Sequence, residues 1–380
     1  MRTSFTAILG NFVVQSTANG SYSTSAGGKG GQPGRGGILN GSLSALLRGA
    51  RSVVLSLLLA ARLSHFAAAQ DAPAPTRHLI SELTPIARIH LGKTADWVAV
   101  TGDTVWIGTT GPDGVARIDP RSNTRTAAIC LRGKPCAGLA VGFGGLWVPL
   151  CGEPNALARV DLLTSQVVMV PAAGPAEREG GITVSRDSVW LVVDGRATLA
   201  RIDPSSLLIK QRISLPRGSL NVAFSGGRIW VTRPTGAEVT VVDADKGAVI
   251  GTVPTGPRPR FLDAGGQSVW TLNQGDGTLT RINARSRRAD FSSSLQTPGH
   301  GGDIKIAHGI VWTSMAKVPL SATDEVTGRV LCQWVGPGGD ALGVGHDAIW
   351  LTDYEAGDVY RYDLEDVLDH CPSARRDRKP

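Results

Sequence analysis

Phe261-Leu262-Asp263-Ala264-Gly265-Gly266-Gln267-Ser268-Val269-Trp270-Thr271-Leu272-Asn273-Gln274-Gly275-Asp276-Gly277-Thr278-Leu279-Thr280-Arg281-Ile282-Asn283 is the stretch that decides how this chain folds. Three runs, 261–264, 268–272 and 278–282, alternate with clusters of Gly, Asn and Asp, the chemistry of tight turns between short strands. Asn283-Ala284-Arg285-Ser286 makes a further turn before an outer strand at 288–292. Four strands of about five residues form one antiparallel sheet.

The unit repeats. Its Trp returns as Trp106, Trp147, Trp190, Trp230, Trp270, Trp312 and Trp350, each after an aliphatic residue. Behind each comes an Asp or Asn: Asp119, Asp161, Asp203, Asp243, Asn283, Asp324 and Asp363. A self-similar period of about 40 residues made of short strands indicates a β-propeller, one blade per period. The expected fold is therefore all-β, a seven-bladed β-propeller of four-stranded antiparallel blades over residues 85–366. The repeated Trp is expected to wedge the gap between neighbouring sheets. The repeated Asp sits where a hairpin must turn, and an Asp there accepts backbone N–H groups.

Ring closure is also readable. After Asp363 the chain enters 364–370, which lacks strand alternation, whereas Ile86-Ala87-Arg88-Ile89-His90-Leu91 precedes the first period and belongs to none. That N-terminal segment is expected to complete the last blade, removing the exposed edges an open array would carry.

The net charge of +7 is not in the repeats. Residues 1–77 hold seven Lys/Arg and one acid, and the tail 367–380 is basic through Arg375, Arg376, Arg378 and Lys379. The remainder is nearly neutral, so the body carries no basic nucleic-acid footprint. Residues 1–77 read as a leader and linker. Arg48 and Arg51 precede Val53-Val54-Leu55-Ser56-Leu57-Leu58-Leu59-Ala60-Ala61, and Ala67-Ala68-Ala69-Gln70 follows. This order predicts a secretory signal peptide cleaved near 69/70 and a periplasmic or secreted protein. The apolar run is too short to span a bilayer, so no membrane span remains after cleavage. No Met lies between Met1 and Met169, and the natural start is expected within or just before residues 42–53.

Five cysteines in an exported chain suggest two disulfides and a spare thiol. Cys136 and Cys151 lie at equal distance from the turn Phe143-Gly144 and should face each other across adjacent strands. Cys332, on an outer strand, is placed to pin Cys371. Cys130 remains, or competes for Cys136.

Arg281-Ile282-Asn283, Thr252-Val253-Pro254-Thr255-Gly256-Pro257-Arg258-Pro259 and Ser268-Val269-Trp270-Thr271-Leu272-Asn273 together resemble the YVTN-type propeller repeat. The 85–366 array is similar to the streptogramin B (virginiamycin B) lyase family, itself a seven-bladed propeller. The resemblance implies a His at the start of an inner strand, after Pro, and a Glu three residues after the Trp of that blade. In the family these act around a bound magnesium ion to open a lactone linkage by elimination. Here Pro298-Gly299-His300 stands about one residue from the His position, and Met315 occupies the place of the acid. The next blade has an acid there, Asp353, but its inner strand begins Gly339-Asp340.

Inner-strand starts and the ends of the Trp strands are expected to converge on one mouth of a central channel. Polar groups at those positions are Asp96, Arg233, Arg260, Asn273, His300, Asp303, Asp340 and Asp353. Mixed charges around a concave mouth suit a small polar ligand, a protein partner or a divalent cation such as magnesium or calcium. The leading expectation is a monomeric binding or scaffold propeller. The alternative is a metal-dependent C–O lyase acting on a lactone, with His300 as its base.

Overall fold

The structure, a computed structural model, describes residues 74–376. The segment expected to be a signal peptide, its expected cleavage site and the last four residues of the basic tail lie outside the described residues. Within them the chain forms seven antiparallel sheets. Blade one comprises Thr94–Val100, Val105–Thr110, Gly114–Asp119 and Thr124–Cys130. Blade five, the stretch that decided the fold, comprises Pro259–Gly265, Ser268–Asn273, Thr278–Asn283 and Arg288–Ser294. Blade two departs from this plan. Its inner position is split into Lys134–Pro135 and Ala140–Gly142, both paired with Gly145–Cys151.

The core is a set of interfaces between blades rather than one central mass. Val105, Ile107 and Ile118 of blade one pack with Trp350 and Val359 of blade seven. Trp230 of blade four packs with Val269 and Ile282 of blade five. All seven repeated Trp are fully buried, none above 1% exposed. Removing one such ring costs roughly 3–5 kcal/mol in lost burial and residual cavity. Guanidinium groups cover three of these rings: Arg117 over Trp106, Arg201 over Trp190 and Arg361 over Trp350.

The repeated Asp acts as the turn chemistry requires. Asp203 accepts from the backbone N–H groups of Ser205 and Ser206, each at 2.9 Å, and Asn283 from those of Arg285 and Ser286. In the seventh repeat the same device has another outcome. Asp363 accepts from Glu365 and Asp366 as the N-cap of a helix, Leu364–Asp369 (α1).

Because the chain turns helical there, blade seven supplies only three strands: Leu342–Gly345, Ala348–Asp353 and Asp358–Asp363. Ala87–His90 supplies the fourth, antiparallel to Asp358–Asp363. This is the closure expected from the sequence. Asp358, 1% exposed, fastens it: Arg88 lies 2.6 Å and His90 2.9 Å from its carboxylate.

Blade six, with Asp303–Ala307, Ile310–Met315, Val318–Asp324 and Val330–Val335, gains a fifth strand. Thr76–Leu79 pairs in parallel with its outer strand, Thr76 against Cys332 and Leu79 against Val335. The His78 ring stacks on Trp334 at 5.9 Å between centroids. Helix α1 and Pro372–Arg376 (α2) cover the same region, placing Leu364, Val367, Leu368 and Cys371 against Leu331 and Trp334. Outer strands elsewhere are half exposed, whereas Leu331, Cys332, Gln333 and Trp334 are buried.

Both expected disulfides are present, Cys136–Cys151 and Cys332–Cys371, leaving Cys130 free and exposed. The first closes the split edge of blade two. The second ties the outer strand of blade six to the chain just beyond blade seven.

Candidate functional site

The innermost strand of each blade is an edge strand whose side chains alternate between the bore and the neighbouring sheets. Residues nine and seven before the repeated Trp in blades one to six help to line a cavity of ≈ 230 Å³ in this bore. At the first register stand Trp97, Gly138, Gly181, Asn221, Phe261 and Asp303; at the second, Thr183, Ala223, Asp263 and Lys305. Most of the polar positions chosen from the sequence lie ten before or three after the Trp. Of those candidates only Asp303 lines the cavity.

Two rings close the bore. Trp97 of blade one and Phe261 of blade five meet with centroids 6.4 Å apart, although their blades are not neighbours. Both lie at interruptions of strand pairing, between Asp96 and Val98 in blade one and between Pro259 and Phe261 in blade five. A bulge adds one residue to a strand and re-aims the side chain beside it. Trp97 also has φ 56, a left-handed conformation that a bulky side chain adopts only where its surroundings hold it. The rings are 6% and 4% exposed.

The polar wall groups stitch one blade to the next. Asp303 accepts from the N–H of Ile304 at 2.8 Å and of Leu342, in blade seven, at 3.3 Å. Lys305 Nζ lies 2.7 and 2.8 Å from its two oxygens. Burial pushes the Asp303 carboxyl up, and Lys305 opposes the shift. Asp263 accepts from Ala264 at 2.9 Å and from Ile306, in blade six, at 2.7 Å. Asn221 donates to the carbonyls of Glu179 and Arg260 in the two adjoining blades. These side chains satisfy backbone groups that a bare inner edge would leave unpaired.

A second acidic group gathers at the register ten before the Trp. Asp96 accepts from the Trp97 N–H at 2.7 Å, and Asp340 accepts from the Gly302 N–H at 3.0 Å. Burial first, and then Asp340, hold Asp96 well above the carboxylate range. Asp340 is pushed up to about 6, mainly by burial and further by Glu179, Asp303 and Asp353. A side chain at Gly302, φ 106, would place its Cβ 1.9 Å from the Ser314 carbonyl, so this donor position requires glycine.

The structure thus brings Asp96, Asp303 and Asp340 into one electrostatic group, with Asp353 at its margin. It engages the others elsewhere. Arg260 pairs with Glu179 at 2.7 Å, and Arg233 pairs with Glu238 of its own hairpin at 2.7 Å. Asn273 is fully buried, donating to Thr278 and Thr280 and accepting from Thr271 within blade five. His300 is exposed, and its ring makes no hydrogen bond or ion pair among the described residues. Met315 is buried. The two positions that the lyase resemblance singles out are thus an exposed His and a buried Met. Among the described residues no group of three or more His, Cys, Asp or Glu side chains is placed to hold a metal ion.

Sequence reading missed Trp97, Asn221, Asp263 and Lys305. A signal existed for two of them. Seven residues before the Trp, five blades carry Ala99, Ala140, Thr183, Ala223 and Gly343, and the other two carry Asp263 and Lys305. No protein-family model matches this chain, and no curated protein matches it.

Proposed function

We propose that this is an exported, monomeric binding propeller whose channel takes a small polar ligand. The observation that carries the reading is the ≈ 230 Å³ cavity in the bore, beside the Trp97–Phe261 pair, with charged side chains on its wall. A concave site with apolar walls and a few convergent polar groups is the usual form of a small-molecule site. Export is supported by the two disulfides, which persist in oxidising compartments. No helix among the described residues is long and apolar enough to cross a membrane.

Ligand-observed NMR of the full chain against a library of small acids, amines and neutral polar compounds tests this. Ala223→Phe, which fills the cavity from its wall, is the control, with circular dichroism confirming its fold. Binding that is saturable and lost in A223F is the expected result. A silent library, or binding indifferent to A223F, overturns the channel reading.

A further inference from the structure

We infer that the channel ligand is a small organic cation whose ammonium group sits against Asp263, beside the Trp97–Phe261 ring pair. The inference rests on the channel reading above and names the chemistry it selects. It follows from the charges of the bore. At the registers ten, nine and seven before the repeated Trp, the basic groups are Arg260 and Lys305, and the acids are Asp96, Asp263, Asp303 and Asp340. Both basic groups are engaged, Arg260 by Glu179 and Lys305 by Asp303. Lys305 also donates to the Ile304 carbonyl at 3.3 Å, so its three protons are committed. Asp96, Asp263 and Asp340 make no ion pair among the described residues. Burial favours the neutral forms of Asp96 and Asp340, which leaves Asp263 as the acid of these registers that has neither that surrounding nor a cationic partner.

Asp263 is the member of that set on the cavity wall. Each of its oxygens accepts one backbone N–H, and a carboxylate oxygen has room for a second donor. A cation placed there shares the cavity with Trp97 and Phe261, aromatic rings of the kind that attract positive charge. An anion entering the same space faces Asp263 while the only lysine on the wall is already neutralised. A divalent metal needs several converging oxygen ligands, and among the described residues no three His, Cys, Asp or Glu side chains are placed to hold one. Trp97 is 6% exposed and its Nε1–H has no acceptor, a state shared by the buried rings of Trp106, Trp270, Trp312, Trp334 and Trp350. Trp97 is the one of these on the cavity wall, where a ligand oxygen can accept its proton. The ligand class that meets both demands is an ammonium carrying a nearby hydroxyl or carbonyl, as in an amino alcohol.

The probe is ethanolamine, read by the indole N–H resonances of the full chain, with the Trp97 signal assigned by Trp97→Phe. Ethylene glycol, acetate and magnesium chloride serve as neutral, anionic and metal counterparts. Saturable movement of the Trp97 resonance with ethanolamine, but not with the counterparts, is expected, and Asp263→Asn should weaken it roughly tenfold or more. An equal or larger response to a counterpart, no response to ethanolamine, or an unchanged affinity in D263N overturns the cation assignment. Selectivity among the four probes is read on the unmutated protein, so the outcome does not depend on D263N folding. If a counterpart binds and A223F abolishes that binding, the channel reading stands while the cation assignment falls.

Discussion

Asp340 shows how one carboxyl serves two demands. It accepts the Gly302 N–H, tying blade seven to blade six, yet it does so in buried surroundings among other acids that favour its neutral form. A carboxyl whose folded pKa is raised supplies stability that is fully present below about pH 4 and is lost as pH rises through about 6. Asp96 acts in the same direction. Thermal melts between pH 4.5 and 7.5 should show this loss, and Asp340→Asn, which retains an acceptor for Gly302, should be flatter. At pH 7.5 the variant is expected to be more stable by on the order of 2 kcal/mol. A variant less stable than the parent at that pH would contradict the account. At this scale the sequence was partly legible. The Trp wedges and Asp turns were readable because each occurs seven times, and repetition distinguishes a structural device from a chemical one. Trp97, Asp263 and Lys305 occur once each in their registers, and a comparison of repeats treats single departures as noise. The bulges beside Trp97 and Phe261 are local departures from pairing that no periodicity announces.

Among the elements, the closing strand was legible because it stood outside every period while the last blade lacked a partner. Thr76–Leu79 was not. Thr-Arg-His-Leu has no alternation of its own, and its pairing is dictated by Val330–Val335, which is far away in the chain. Its partner gave no sign either. Leu331, Cys332 and Trp334 are apolar, as Val167, Val168 and Met169 of another outer strand are, but here the added strand and helices α1 and α2 bury them. The Cys332–Cys371 disulfide holds this assembly across 39 residues of chain. Cys332→Ser should therefore lower stability by about 2–5 kcal/mol in chemical denaturation. Reduction also breaks Cys136–Cys151, so it should lower the oxidised parent further than it lowers C332S, the excess being the contribution of this bond. The same midpoint for C332S and the oxidised parent would show that the helices hold without it.

For the molecule as a whole, stability depends on the ring being complete. Each blade buries its faces only against its two neighbours, so a missing strand in blade seven exposes an edge and loosens both adjoining interfaces. Deleting residues 85–91 is expected to abolish soluble monomer, observable as aggregate or loss of the monomer peak in size-exclusion chromatography. A soluble monomer with an unchanged melting temperature would mean that the ring does not rely on this strand. The closing pair also fixes an order of events. Arg88 meets Asp358 across 270 residues, so the strand synthesised before all the blades is the one whose partner is synthesised last. Contacts this distant in sequence form slowly, and an unclosed chain presents strand edges to its neighbours in the meantime. Biogenesis is thus the vulnerable stage for this protein. Until the last blade is made, the early strand is an unpaired edge that nothing in the ring protects.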